Sequence, residues 1–205
     1  MVTCPDWHAA ASHLVRIDSR FAPLVAAHGV PNWQPTRQPV QHLARAIVYQ
    51  QLSGKAAGTI YKRFLTLFPR GRFPSARRLA ATEVAKLRQA GLSQAKALAV
   101  KDLAAHVTSR RLRPAALHTL SNEEIAAALL PVRGIGPWSV DMFLMFALGR
   151  PDVLPVGDLG VKKGAQRHFR LRALPSAEAL ERLAEPWRPF RSVGSWYMWR
   201  HLDTP

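Results

Sequence analysis

Residues 130–137 read Leu130-Pro131-Val132-Arg133-Gly134-Ile135-Gly136-Pro137, and the segments on both sides carry helical spacing. Before it, Ser121 opens the run SNEE, in which Glu124 can reach back to the amide at the helix start, a capping box. The helix so begun is predicted to run to Leu130. After it, Pro137 suits the first turn of a second apolar helix that ends at Leu148, before Gly149. Gly134 and Gly136 carry no side chain to block close approach, so the amides of the turn can point at a phosphate beside the positive end of the second helix. The alternative is a tight glycine turn between packed helices.

The same spacing recurs outward from this turn, and strand alternation is absent, so the expected fold is all-α. A helix is predicted from His8 to about Ala27, followed by a connector from Val30 to Pro39 with three prolines. Further helices are predicted over Pro39 to Tyr49 and over 54–68, ending at Pro69. Ser75 and Thr82 are candidate N-caps of two short turns. Ser93 to Arg110 reads as an amphipathic helix with Ala97, Leu98, Leu103, Ala104 and Val107 inward. Two last helices are predicted over Val161 to Phe169 and Ser176 to His201.

The chain has 205 residues, with 29 Lys and Arg against 13 Asp and Glu, a net charge of +16. Its 48% of apolar residues can build a core, which excludes a disordered chain. The charge favours a polyanionic partner, nucleic acid ahead of a membrane. Cys4 is the single cysteine, which excludes an internal disulfide framework and an all-cysteine metal centre and makes a poor nucleophile so near a terminus. No two of the eight histidines stand four residues apart, so no zinc site is expected. No apolar run is long enough to span a membrane, and Asp6 precedes every basic residue at the start. The expectation is a soluble cytoplasmic protein.

Among the seven aspartates, Asp6 and Asp203 lie near the termini, and Asp18 and Asp102 read as polar-face residues of helices. Asp141 follows Trp138 by one turn, and Asp152 follows Pro151 in a turn it can cap. Asp158 differs, because it sits in the apolar loop LPVGDLGV with Lys162 and Lys163 just beyond. A carboxylate among apolar walls and phosphate-binding groups suits chemistry, though it suits an N-cap as well.

The turn at 130–137 resembles the helix–hairpin–helix element that grips a DNA backbone without reading sequence. The longer stretch GIGPWSVDMFLMFALGRPDVLPVGDLGVKKG, residues 134–164, resembles the signature of the helix–hairpin–helix DNA glycosylase superfamily. AIVYQQLSGKAA, residues 46–57, and PWRPFRSVGSWYMWRH, residues 186–201, are similar to the 3-methyladenine DNA glycosylase II branch. The resemblance implies a two-lobed helical domain over 1–205 with a cleft between the lobes, one lobe of about 38–112 and a second of about 1–37 plus 113–205. With 37 residues before Gln38, it implies a short form without the N-terminal β-rich domain of a better-studied relative.

It also implies an enzyme that flips alkylated bases out of double-stranded DNA and hydrolyses the N-glycosidic bond, acting as a monomer and requiring no cofactor. Asp158 takes the catalytic position. Trp138, Met142 and Phe190 take the base pocket. Gln51 takes the place of the wedge that fills the gap in the duplex, with Gln50, Leu52 and Ser53 beside it; the alternative there is a polar helix start capped by Ser53. Arg133, Gly134, Gly136, Lys162 and Lys163 are the expected DNA contacts, and Arg133 stands where a proline is usual. The backbone carbonyls of Leu130, Val132 and Ile135 match those that hold a structural sodium or potassium ion. Trp138 occupies the position of the Schiff-base lysine of bifunctional relatives, so a lyase step is not expected. Two rival readings remain, a non-catalytic DNA-binding module and a bifunctional glycosylase/lyase for oxidised bases.

Overall fold

A computed structural model describes residues 5–203, so Cys4 lies outside the described residues. In chain order the helices are α1 (Trp7–Ile17), α2 (Ala22–His28), α3 (Pro39–Tyr49), α4 (Gly54–Thr66), α5 (Ala76–Ala81) and α6 (Val84–Gln89). They continue as α7 (Gln94–Thr108), α8 (Asn122–Leu129), α9 (Pro137–Met142), α10 (Leu159–His168), α11 (Ala177–Ala184) and α12 (Arg191–Asp203). No strand occurs among the described residues, as the sequence predicts. None of these helices is long and apolar enough to cross a membrane.

The contacts divide the chain into two compact units, a middle unit of Thr36–Val140 and a terminal unit built from the residues up to Pro35 and from Asp141 onward. The middle unit therefore extends to Val140, beyond the 112 expected from the sequence. Segment 113–140 joins it because Leu117, Ile125, Leu129 and Val132 are buried and because polar contacts tie the hairpin to Gln50, just after α3, and to α7. The helix α7 lies against α3, α5 and α6. Its buried residues are Ala97, Ala99, Val100, Leu103, Ala104 and His106, while Leu98 and Val107 are half-buried. A helix packed on several sides needs no single apolar stripe, so the expected amphipathic face is only partly realised.

In the terminal unit, α10 packs closely on α12, and α1 and α2 complete the core. Phe21 contacts Trp187 and Tyr197 edge-on at 5.6 and 5.9 Å. The single helix predicted over His8 to Ala27 breaks at Asp18, whose backbone is extended and whose side chain accepts from the Arg20 amide. Asp18 also pairs with His168 Nε2 at 2.9 Å and with Arg20, so it is a half-buried link between segments and not a polar-face residue. Burial pushes its carboxyl up, but the hydrogen bonds from Arg20 and His168 outweigh burial and hold it at about 2. The helix predicted over 176–201 is two helices, α11 and α12, because Pro186 and Pro189 stand between them. The apolar helix from Pro137 changes at Phe143–Ala147 into a π-helical turn, a wider winding frequent at functional sites. Ser75 caps α5 as predicted, whereas Thr82 ends α5 and Glu83 precedes α6.

Candidate active site

The middle unit carries the hairpin. Ser121 and Glu124 close the capping box of α8, and the chain leaves that helix at Leu130. The Val132 amide donates to Leu129 O at 3.0 Å and the Ile135 amide to Val132 O at 3.0 Å, with the side chains of Val132 and Ile135 buried. Between these two pegs, Arg133 donates its amide to Asp102 Oδ2 at 2.8 Å, so Asp102 is a hairpin anchor and not an ordinary polar-face residue. Gly134 is left-handed at φ 78°, and a Cβ there would stand 3.2 Å from Ala99 Cβ. A Cβ on Gly136 would meet nothing within 4 Å. The amides of Gly134 and Gly136 donate to no acceptor among the described residues, which leaves two donors for an anion. Trp138, which follows, is 50% exposed.

The expected wedge lies in the same unit. The helix α3 ends at Tyr49; Gln50 is extended, and Gln51 adopts φ 55°. That left-handed conformation costs a non-glycine residue about 1–2 kcal/mol, so the surrounding contacts must impose it. Gln50 Nε2 donates to Gly134 O at 2.9 Å and to Ser139 Oγ at 3.4 Å. Gln50 thus braces the hairpin from inside the unit instead of reaching outward. Gln51 and Leu52 are exposed, Leu52 at 40%, as is Ser53. Ser53 caps α4 by accepting from the Ala56 amide, which is the structural reading the sequence allowed for it.

Asp158 belongs to the terminal unit. The loop that leads to it is pinned to the start of α12: Ser192 Oγ donates to Arg150 O and accepts from the Val153 amide, and Asp152 pairs with Arg188 and Arg191. Asp158 then caps α10, its Oδ1 accepting from the Val161 amide at 2.8 Å and from Trp199 Nε1 at 2.8 Å. The cap and the expected catalytic group are therefore one half-buried carboxylate. Glycines make the second bond possible. A Cβ on Gly160 would lie 2.7 Å from Trp199 Cδ1, and one on Gly164 would lie 2.1 Å from Met198 O. Trp199 stacks on Phe146 at 5.9 Å, and Phe146 meets the edge of Trp33 at 4.9 Å, so half-buried aromatic rings extend from the carboxylate.

One further carboxylate modifies this setting. Asp141 is half-buried, and its carboxyl is raised to about 6, first by burial and then by the negative charge of Asp158. Lys162 is half-buried and its charge acts on Glu178, while Lys163 is exposed. Of the residues expected in the pocket, Met142 is half-buried at the end of α9. Phe190, half-buried, packs against the core of its unit and the edge of His13 at 5.5 Å. Sequence reasoning missed Trp199, Phe146 and Trp33 and the effect of Asp141. The available signal was Gly160, two residues after a cap, where no side chain blocks an approaching ring.

A glycine hairpin with two amides that find no acceptor among the described residues, followed one helix and one loop later by a helix-capping, tryptophan-bonded aspartate, defines a helix–hairpin–helix protein with a candidate site at that aspartate. The chain belongs to the family described as HhH-GPD superfamily base excision DNA repair protein, which it matches over residues 44–189. It is 34% identical over 198 residues to DNA-3-methyladenine glycosylase 1 of Schizosaccharomyces pombe, covering 93% of this chain and 86% of that protein. The fold is similar to that of the S. pombe 3-methyladenine DNA glycosylase Mag1, solved in complex with abasic DNA. That match has a TM-score of 0.79 at 33% identity and covers 94% of this chain and 95% of that one. It is also similar to a DNA-3-methyladenine glycosidase from Bacillus halodurans, with a TM-score of 0.82 at 32% identity over 95% of this chain and 89% of that one.

Proposed function

We propose that this chain is a monofunctional DNA glycosylase that removes alkylated bases from double-stranded DNA, with Asp158 as its catalytic carboxylate. The observation that carries this reading is the fixing of Asp158 Oδ1 by the Val161 amide and the Trp199 indole in a chain of this family. The relatives named for 3-methyladenine support alkylated bases as the substrate class.

The target base must leave the duplex stack before its sugar bond is accessible, which costs a few kcal/mol and least for a damaged pair. The amides of Gly134 and Gly136 would hold a phosphate, and Gln51 or Leu52 would fill the gap. An alkylated purine often carries positive charge, and the exposed face of Trp138 would attract it by about 0.5–2 kcal/mol. As the bond between C1′ and the base nitrogen breaks, its electron pair leaves with the base and C1′ becomes cationic. The Asp158 carboxylate would stabilise that charge and take a proton from the attacking water, leaving a free base and an abasic sugar. No amine stands at position 138 to form a Schiff base, so the DNA strand stays intact.

The carbonyls of Leu130, Val132 and Ile135 are neutral oxygen donors, the type an alkali cation takes. Val132 O already accepts the Ile135 amide and keeps a second lone pair. A monovalent cation held there would add positive charge beside a bound phosphate.

The test is incubation of methylated duplex DNA with the protein. Free 3-methyladenine should appear, with strand breaks only after alkali and no adduct trapped by borohydride. Binding without base release would instead establish a non-catalytic module, and a trapped adduct would establish a lyase.

A further inference from the structure

Lys96, in the first turn of α7, is half-buried, and its ammonium reaches two backbone carbonyls far back in the chain. Nζ donates to Val48 O at 2.7 Å and to Gln50 O at 2.6 Å. These carbonyls lie at the end of α3, where the last residues of a helix have no partner for their oxygens within the helix. An ammonium is a compact charge with several donors, able to take two carbonyls at once. Gln50 is therefore held twice, by its carbonyl to Lys96 and by its side chain to Gly134 O. The next residue is Gln51, in the left-handed conformation that an unsupported glutamine avoids.

We infer that Lys96 is a positioning residue for base flipping: it fixes the turn that presents Gln51 and Leu52 and, through Gln50, locks that turn in register with the hairpin. The inference rests on the reading of this turn as the wedge. It adds a residue that touches no DNA and acts through the backbone of its neighbour. Burial lowers the Lys96 ammonium from its ordinary value, in keeping with a cation placed for its contacts and not for solvent. The molecule supplies its own control. Lys101, on the same helix, donates in the same way to Ala80 O at 2.6 Å and to Thr82 O, at the end of α5, and makes no bond to the wedge turn. Removing either lysine takes a cation away from two backbone oxygens, but only one of the pairs belongs to the wedge turn.

The experiment uses the full chain and a duplex with 2-aminopurine opposite a tetrahydrofuran abasic analogue, whose fluorescence rises when a side chain enters the stack. Single-turnover excision from methylated duplex is measured in parallel. Lys96→Met is expected to lose the fluorescence rise and to excise about 10-fold more slowly or worse, as a misplaced contact does. Gln51→Ala should show the same two losses, and the double variant should be no worse than the poorer single one, since both act on one turn. Lys101→Met should keep both signals. Where Lys96→Met does not fold, Gln50→Leu cuts the other half of the lock without leaving a buried charge, and loss of the fluorescence rise is again expected. A wild-type rise and rate in Lys96→Met or Gln50→Leu, beside their loss in Gln51→Ala, would overturn the role of Lys96 and leave the wedge standing. A Gln51→Ala protein that retains both signals would overturn the wedge reading itself.

Discussion

The hairpin and the Asp158 loop hold the atoms that the proposed function assigns to them in opposite ways. At the hairpin those atoms are backbone amides, and the side chains around them serve the fold: Val132 and Ile135 are buried, and Asp102 and Gln50 hold the turn from behind. At Asp158 those atoms belong to a side chain that the fold also uses, as the cap of α10 and the partner of Trp199. Substitution can therefore separate architecture from DNA contact in the first region. In the second the two roles coincide, and only an isosteric change can part them.

The largest expected effect falls on the architecture around Asp158. Gly164→Ala would drive a Cβ into the Met198 carbonyl, a rigid backbone atom, and should lower stability by about 3 kcal/mol or more, read by chemical denaturation. Denaturation at wild-type concentrations would refute the close approach of α10 and α12.

Next comes Asp141. Its folded pKa, raised from 3.8 to about 6, means that folding favours its protonated form. The stability linked to that proton is fully present below the unfolded value and is lost as pH rises through about 6. Asp141→Asn should therefore stabilise the protein at about pH 7.5 by roughly 1–3 kcal/mol and change little at about pH 4. An equal effect at both values would contradict the burial of that carboxyl.

The smallest effects divide the two hairpin glycines. Gly134→Ala forces an alanine into the left-handed region and should cost about 1–2 kcal/mol. Gly136→Ala meets nothing in the fold and should stay within about 0.5 kcal/mol of wild type, while weakening binding to undamaged duplex. A Gly136→Ala protein with unchanged affinity would remove that amide from the DNA contact.

Much of this was legible where the signal is local. The GIGP turn, the Ser121 capping box, the Ser75 cap and Asp158 before α10 each announce themselves within a few residues. The break at Asp18 was hidden because apolar spacing continues across it, and the break after Ala184 because apolar periodicity outweighed Pro186 and Pro189. Trp199 reaches Asp158 across 41 positions, and Lys96 reaches Gln50 across 46. Such polar links between distant helices leave no periodic trace, so the groups that hold the site in place were the part the sequence concealed. The unit boundary moved to Val140 for the same reason, since Asp102 and Gln50 join the hairpin to the middle helices.

The most direct test of the account is single-turnover excision of a chemically stable alkylated base by Asp158→Asn. Asparagine caps helices about as well as aspartate and keeps an oxygen for the Val161 amide and the Trp199 indole, so the fold and lesion binding should persist. The excision rate should fall by about 100-fold or more, the scale of removing one electrostatic stabiliser. Wild-type excision by a folded Asp158→Asn protein would contradict the assignment of the catalytic carboxylate.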